Sequence, residues 1–373
     1  MIKSLHIVSF NVPYPPDYGG VIDVFYKIKA LKECGVNVIL HCYKYGRKDA
    51  LELKNICSEI YYYKRKKLAS SALKKLPFIV ATRNSELLLK RLKNDNLPIL
   101  FEGLHTTFWL KELCKTNRKI FVRAHNVEHQ YYRGLAKAES NVFKKMFFKS
   151  ESRKLYKYES TLRNASKIFS ISQNDNQHFN LKYGNSILIS AFHPYQKLDI
   201  KEGRGDYVLF HGDLSVSDNI KSAVFLIENI FNNINIPFII AGKNPDIKIV
   251  KAIKCIKNNN VQLISNPVHN KMNELISNAH INLLYSFQSS GIKLKLINSL
   301  YCGRHCIVNN NIIENTGLKE LCYISNNVEN LKKQVLNLFN ISFNNNDIAH
   351  RKAILSDKFD VKANALKLCD LIF

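Results

Sequence analysis

The sequence predicts an α/β protein made of two doubly wound, Rossmann-like domains with parallel sheets. Apolar runs of strand length alternate with amphipathic stretches of helix length along the chain. The alternation is interrupted once, near 190–206, where proline, glycine and mixed charge follow one another. The length of 373 residues also exceeds what one hydrophobic core holds, about 250–300 residues.

The first half of the chain opens with a strand, a loop, a helix and a second strand. The apolar run at 5–10 leads into the loop "NVPYPPDYGG", and the next fifteen residues, 21–35, have helical spacing and end at a glycine. The second strand follows at 36–43. Further strands of this half are predicted at 59–64, 97–103, 119–126 and 167–172.

The second half repeats the alternating pattern. Its strands are predicted at 207–214, 236–242, 261–265, 281–286 and 305–310. We therefore place one domain at 1–195 and a second at 196–357, followed by a helix at 358–373 that could pack back on the first domain or on the second. Two such domains are expected to face each other across a cleft at the carboxyl ends of their strands, where open α/β sheets bind ligands.

The charge of the chain favours an anionic partner. With 55 Lys and Arg against 30 Asp and Glu, the formal net charge is +25, which suits nucleic acid, acidic lipid headgroups or phosphorylated small molecules. A bias toward Asn, Ile and Lys from an AT-rich coding sequence is an equally good explanation. The chain has no apolar run of membrane-spanning length and no signal-peptide pattern, so we expect a cytoplasmic protein.

The nine cysteines are irregularly spaced and form no CxxC pair. An odd number without metal-ligand spacing favours reduced thiols in the cores over disulfides or a zinc site.

The loop after the first strand contains Gly19 and Gly20, which would let the backbone approach a ligand and begin a helix whose amides favour an anion. The loop is not GxGxxG, and the chain has no Walker A sequence. A plain turn accounts for the two glycines equally well.

In the second half, "HGDL" (211–214) and "AGKNPD" (241–246) each close a strand. The segment 289–308 is more informative, because a Ser-Ser-Gly turn precedes a helix with Lys293 and Lys295 in its first turn. Cations at a helix N-terminus oppose its dipole, which a protein tolerates best where an anion also binds. The alternative is that both lysines extend into solvent.

The segment "AHNVEHQYYR" (124–133) places His125 at the end of a predicted strand. A metal would need further ligands, for which only Glu128 and His129 are near, and the HExxH pattern is missing. We favour a contact between His125 and a ligand hydroxyl or diphosphate, with a structural histidine as the alternative.

Taken in order, these pieces resemble the nucleotide-sugar-dependent glycosyltransferases of the GT-B fold, close to the retaining family 4 enzymes. The resemblance covers nearly the whole chain. It depends on the following motifs: "PYPPDYGG", "ILFEGLH", "VRAHNVEHQYY", "FHGDLSVSDN", "FIIAGKNP", "GIKLKLINSLYCGRHCIV" and "NTGL".

The resemblance implies catalytic roles for His125, at the transferred sugar, and Lys295, at the leaving diphosphate. It implies donor binding by Gly19, Gly20, Gly212, Asp213, Ser290, Gly291, Lys293, Asn298, Thr316 and Gly317. It implies acceptor-side contacts by His105, Asn126 and Glu128.

The sequence departs from family 4 at two pairs of positions. Ser290 and Asn298 stand where two glutamates are usual, and Asp213 and Asn219 stand where an arginine and a lysine are usual. These losses give Lys293 and Lys295 more weight as the cations that hold the diphosphate. The amide of Asn298 could still bond a ribose hydroxyl.

The resemblance therefore implies transfer of a hexose-type sugar from a UDP- or GDP-linked donor to a glycan or lipid-linked glycan, with retention and without a metal or other cofactor. Such an enzyme would serve bacterial surface polysaccharide or glycoconjugate synthesis. Retention needs no enzymic base, whereas inversion would require one, for which Glu102, Glu128 and His105 qualify. A sugar-nucleotide epimerase of the same fold is the main alternative activity.

Two segments, 61–78 and 143–160, interleave Lys and Arg with aromatic residues. Such a surface suits anionic lipid headgroups, and so a peripheral position at the inner face of the plasma membrane. A solvated helix face explains the pattern nearly as well, and single-stranded nucleic acid less well. A basic protein that binds nucleic acid or membranes without catalysis is the non-enzymatic alternative.

Overall fold

A computed structural model describes residues 3–66, 75–139, 141–256, 258–288, 294–314 and 316–373 of the protein. Ser290, Gly291 and Lys293, which the sequence assigns to donor binding, lie outside the described residues. Contacts divide the chain into two compact units. The first consists of Met1–Ala136, Asn141–Pro194 and Phe359–Phe373, and the second of Lys137–Ser140 and Tyr195–Lys358.

The first unit is built on a sheet of seven parallel strands in the order β3-β2-β1-β4-β5-β6-β7. The strands are β1 (Ser4–Ser9), β2 (Asn37–Lys44), β3 (Glu59–Lys64), β4 (Ile99–Glu102), β5 (Ile120–Ala124), β6 (Lys167–Ser170) and β7 (Ser186–Leu188). The order reverses between β1 and β4. Loops after these two strands diverge there, which leaves the crevice in which doubly wound sheets bind ligands.

Helices cover both faces of this sheet and bury one apolar cluster on each. They are α1 (Gly19–Glu33), α2 (Phe78–Ala81), α3 (Glu86–Leu92), α4 (Leu110–Leu113), α5 (Glu128–Ala138), α6 (Val142–Tyr158), α7 (Gln173–Tyr183) and α15 (Val361–Ile372). The C-terminal helix α15 packs beside α1, where Leu368 and Ile372 join the cluster that contains Ile28 and Leu31. The last residues of the chain thus complete the core of the first unit.

The second unit has a sheet of six parallel strands in the order β10-β9-β8-β11-β12-β13. They are β8 (Val208–Asp213), β9 (Phe238–Lys243), β10 (Val261–Ser265), β11 (Ile281–Leu284), β12 (His305–Val308) and β13 (Tyr323–Ile324). The order reverses between β8 and β11. Gly242 is required beside β8, because a Cβ there would lie 1.9 Å from the Gly212 carbonyl oxygen.

The helices of the second unit are α8 (Ser217–Leu226), α9 (Ile247–Cys255), α10 (His269–Asn278), α11 (Leu294–Cys302), α12 (Asn310–Ile313), α13 (Val328–Leu338) and α14 (Asn345–Lys358). Its core unites side chains of the central strands with those of α8, α9 and α13. Within the described ranges, no helix combines the length and the apolar character needed to cross a bilayer.

The α/β class and the parallel sheets predicted from the sequence are confirmed. Two strands were not predicted, β7 and β13, which have three and two residues at sheet edges and give too short a pattern to detect. The prediction of core thiols was partly wrong. All nine cysteines are free, but Cys255 is exposed and four others are half-buried.

Candidate active site

Three side chains lie together at the carboxyl ends of β1, β4 and β5 in the first unit. His125 and Glu102 were named from the sequence, and Phe10 was not. Phe10 follows β1, Glu102 ends β4 and His125 follows β5. The ring of Phe10 meets the His125 ring edge-on, with centroids 5.5 Å apart. This group lies at the point where the strand order reverses, the expected ligand-binding position in such a sheet.

His125 is held by a carboxylate. Its Nε2 lies 3.0 Å from an Oε2 of Glu102, and its side chain is 10% exposed. Because a carboxylate oxygen accepts, Nε2 carries the hydrogen, and Nδ1 is on the other side of the ring. The buried Glu102 carboxylate therefore orients the His125 ring, and the predicted contact of His125 with a ligand hydroxyl or diphosphate stays a prediction.

Glu102 belongs to a buried network of alternating charge. The Lys27 ammonium lies 2.7 Å from Glu102 Oε1 and 3.0 Å from Asp23 Oδ2. Arg123 donates from Nη2 to Asp23 Oδ1 at 2.8 Å and from Nε to Oδ2 at 3.1 Å. The formal charges of the two carboxylates and the two cations cancel, and a buried cluster requires such pairing. Burial alone would raise the pKa of Asp23, but Arg123 and Lys27 hold that pKa below its ordinary value.

The same network anchors the chain after β7. Arg123 donates to the carbonyl oxygens of Ile189 at 2.7 Å and Ser190 at 3.0 Å. The Phe192 amide donates to Asp23 Oδ1 at 2.9 Å. The network thus fixes the position of His125 against three separate parts of the first unit.

His105 and Glu128 lie beside this group. Gly103 has φ +70°, and a Cβ on it would lie 2.7 Å from His105 Nδ1, so glycine is needed for the turn that presents His105. The His105 ring stands 5.4 Å from the Phe10 ring. Its Nδ1 is 3.9 Å from Glu128 Oε1, and neither atom has a hydrogen-bond partner among the described residues.

Burial controls the protonation of this pair. It raises the pKa of Glu128 to about 8 and lowers that of His105 well below its ordinary value. Half-buried Asn126 and buried Glu128 also line a cavity about the size of one water molecule. The predicted acceptor-side residues His105, Asn126 and Glu128 are therefore neighbours of His125.

His129, by contrast, belongs to a different hydrogen-bonded group from His125. Its Nδ1 lies 2.8 Å from Glu159, which also bonds His178 at 3.0 Å and Lys182 at 2.7 Å. Burial would raise the pKa of Glu159, but the hydrogen bonds from His129, His178 and Lys182 hold it below its ordinary value. These contacts link α5 to α7, so the role of His129 is structural.

Metal-ligating atoms come within 4.8 Å of one another in two trios of described residues. They are Asp23, Glu102 and His125, and His129, Glu159 and His178. In each trio a lysine ammonium already lies within 3.0 Å of a carboxylate: Lys27 in the first and Lys182 in the second. The positive charge that a metal would bring is thus supplied by a side chain.

The loop before α1 places Gly19 at the exposed helix start and Gly20 beneath Phe10. A Cβ on Gly20 would lie 2.7 Å from Phe10 Cζ, so glycine allows the ring to reach both histidines. Asn11 fixes the loop, since its side chain bonds the backbone of Tyr45 at 3.0 and 3.1 Å.

In the second unit, Gly212, Asn219 and Lys295 meet at the reversal between β8 and β11. The Lys295 ammonium donates to Asn219 Oδ1 at 3.3 Å and lies 5.2 Å from the centre of the Phe210 ring. A Cβ on Gly212 would lie 3.0 Å from Asn219 Nδ2. Lys295 is half-buried and bonded to Asn219, which argues against the alternative that this lysine merely extends into solvent.

The structure describes four further predicted donor residues in this unit: Asp213, Asn298, Thr316 and Gly317. Asp213 is exposed and accepts from the Ser215 hydroxyl at 2.7 Å. Asn298 is half-buried, and its Oδ1 has no hydrogen-bond partner among the described residues. Thr316 and Gly317 come after α12, which separates them from β12.

Two residues that the sequence interpretation missed support the second-unit group. Asp218, in the first turn of α8, accepts from Ser286 Oγ at 2.6 Å and from the Phe287 amide at 2.8 Å, which orders the chain after β11. Buried His211 lies beneath Lys295, and burial followed by the Lys295 charge lowers its pKa to about 3. The acidic residue in the segment "SVSDN" was the available signal.

Comparisons with known proteins match one family and one further protein by sequence. The family described as Glycosyl transferases group 1 matches residues 205–340. A 44.6 kDa protein from the cps region of Klebsiella pneumoniae is 26% identical over 324 residues, which are 80% of this chain and 81% of that protein.

Solved structures extend the likeness in fold to the whole chain. TarM has a TM-score of 0.71 at 12% identity, covering 100% of this chain and 99% of its own. HepE of Anabaena, solved in complex with UDP and glucose, has a TM-score of 0.66 at 11% identity, with 99% of each chain covered. A mutant of S. aureus TarM, solved with fondaparinux, alpha-GlcNAc-glycerol and UDP, has a TM-score of 0.67 at 10% identity, also with 99% of each chain covered.

Residues 205–340 thus match the family of glycosyl transferases group 1, and the chain as a whole has the GT-B fold of the solved glycosyltransferase structures.

Proposed function

We propose that the protein transfers a hexose-type sugar from a nucleoside diphosphate donor, UDP- or GDP-linked, to a glycan or lipid-linked glycan, with retention, in bacterial surface polysaccharide or glycoconjugate synthesis. The observation that carries the proposal is the position of Lys295. Its ammonium is held by Asn219 beside Gly212, within the part of the chain that matches group 1. The UDP in the HepE and TarM structures, and the cps region of the Klebsiella relative, support the donor class and the pathway.

In this proposal the second unit binds the nucleotide and the first unit supplies the sugar and acceptor contacts. The bond between the anomeric carbon and the diphosphate oxygen breaks as Lys295 stabilises the charge on the leaving diphosphate. His125, oriented by Glu102, contacts the sugar as positive charge develops at that carbon. The acceptor hydroxyl attacks from the same face, and the leaving phosphate takes its proton, so no enzymic base is required.

The proposal is tested with UDP- and GDP-sugars, each incubated with and without a glycan acceptor. We expect nucleotide release that depends on acceptor and a product with retained anomeric configuration, detected by NMR. Lys295→Met, which keeps an unbranched apolar side chain but removes the ammonium near the Phe210 ring, should slow release by roughly 10²–10³-fold, as for lost oxyanion donors. Conversion of the donor to an epimer without nucleotide release would support an epimerase instead. Inverted product would direct attention to Glu102, Glu128 and His105 as bases.

A further inference from the structure

Helix α6 of the first unit has an outward face that divides into an apolar half and a basic half. In its first turns, Val142, Phe143 and Met146 are 65%, 83% and 63% exposed. Along the same face, toward the C-terminus, follow exposed Lys149, Ser150, Arg153 and Lys157. Residues three, four and seven apart lie on one side of a helix, so these side chains form one continuous stripe.

The opposite face of α6 is buried and accounts for its attachment to the first unit. Glu151, Ser152 and Leu155 are buried there. Glu151 accepts from the Phe78 amide at 2.5 Å and pairs with Lys154 at 2.9 Å. The carboxylate of α6 is therefore turned away from the stripe, which carries three cations and no acidic group.

We infer that the stripe, Val142 to Lys157 on the outward face of α6, docks on a bilayer that contains anionic lipids. The large apolar side chains at one end enter the boundary between headgroups and acyl chains, while the cations at the other end lie among lipid phosphates. At about 1.5 Å per residue the helix is roughly 25 Å long, which suits a helix lying in the plane of the interface.

The composition of the stripe favours lipid over two other occupants. Of its three apolar side chains only Phe143 offers a flat ring for a base to stack on, whereas platforms for single-stranded nucleic acid stack successive bases on several aromatic rings. A second copy of the chain, packed by twofold symmetry, would bring Lys149 and Arg153 against their own counterparts or against the apolar half of the partner stripe, and the stripe has no acidic group to pair with them. The inference goes beyond the proposed transfer reaction, because lipid binding through α6 does not depend on the sugar donor.

The test is flotation of the full chain with vesicles of phosphatidylcholine alone or of phosphatidylcholine with phosphatidylglycerol. We expect binding only to the anionic vesicles, weakened by added salt. Lys149→Gln and Arg153→Gln should each weaken binding about fivefold, corresponding to about 1 kcal/mol per cation near an anionic surface. The triple variant Val142→Ser, Phe143→Ser and Met146→Ser should weaken it by about tenfold or more, since it removes the inserted apolar area.

Matched controls come from other surfaces of the protein. Leu181 on α7 is 92% exposed, so Leu181→Ser removes a comparable apolar group, and Lys251→Gln removes an exposed cation of α9. Neither should change binding, and thermal melting should show all variants folded. Equal binding by the α6 variants and the wild type would overturn the inference. So would equal binding to neutral vesicles, a dimer that the α6 variants dissociate, or stronger α6-dependent binding to single-stranded DNA. Transfer to a water-soluble acceptor should persist in the α6 variants, which separates this inference from the proposed function.

Discussion

The buried network around Lys27 allows a stability prediction to be worked from charge alone. The side chains of Asp23, Lys27, Glu102 and Arg123 are each no more than 1% exposed, and their formal charges sum to zero. Glu102→Gln leaves an excess positive charge, and Lys27→Met leaves an excess negative charge. The double variant restores the balance, because Asp23 and Arg123 remain a paired unit.

Breaking one partner of a buried ion pair costs about 3–5 kcal/mol, whereas replacing both partners is often close to neutral. Each single variant should therefore lower the melting temperature of the first unit by about 6–20 °C, at about 2–4 °C per kcal/mol for a unit of this size. The double variant should be more stable than Lys27→Met alone. The coupling energy from the double-mutant cycle should be at least about 1 kcal/mol.

The chain provides a convenient probe for this measurement. Its one tryptophan, Trp109, lies in the first unit, where Nε1 donates to the Ser85 carbonyl at 3.0 Å. Thermal and urea unfolding followed by tryptophan fluorescence thus report on the unit that contains the network. The control is Lys93→Met, which removes an exposed ion pair with Glu112 and should leave the unfolding transition unchanged. If the losses of stability in the two single variants simply add up in the double variant, the charge-balance reasoning is refuted.

Three further predictions follow from the site. His125→Ala should lower kcat by about 10²-fold or more with little change in donor affinity, and an unchanged kcat would return His125 to a structural role. Gly20→Ala should displace Phe10 toward His105 and His125 and lower activity, measured as kcat, while Gly19→Ala should have less effect. Burial raises the pKa of Glu128 from 4.5 to about 8, so between these pH values the folded state keeps a proton that the unfolded state has lost. This group therefore makes the folded state less stable as the pH rises through that window. Glu128→Gln should remove that part of the fall in urea unfolding, and an identical pH profile in the two proteins would contradict the buried position of Glu128.

Much of the fold could be predicted because each strand is a local pattern. The predicted bounds of β3 and β10, 59–64 and 261–265, agree with the structure. Short edge strands such as β7 escaped because three residues carry no periodicity. In each unit, the order of the strands depends on pairings between distant segments, and only the resemblance to a known fold supplied it.

The position of the site could be predicted from the sequence, but the hydrogen bonds and ion pairs between its residues could not. His125 was found because it follows a strand, but its partner Glu102 is 23 residues away and was considered only as a base. Asp23 and Lys27 were not singled out within the helix predicted at 21–35. The available signal was their position among Val24, Ile28 and Leu31 on the buried face of α1, where an unpaired charge would be too costly.

The central claim is that the part of the chain that matches group 1 holds a nucleoside diphosphate through Lys295. Its most direct test is calorimetric titration of UDP and GDP into the wild type and Lys295→Met. We predict binding of one of the two diphosphates to the wild type, weaker binding of the matching monophosphate, and a clear loss of affinity in Lys295→Met. A saturating ligand at 100 times its dissociation constant should also add about 2.7 kcal/mol to stability. Binding of neither nucleotide, or equal binding by both proteins, would contradict the claim.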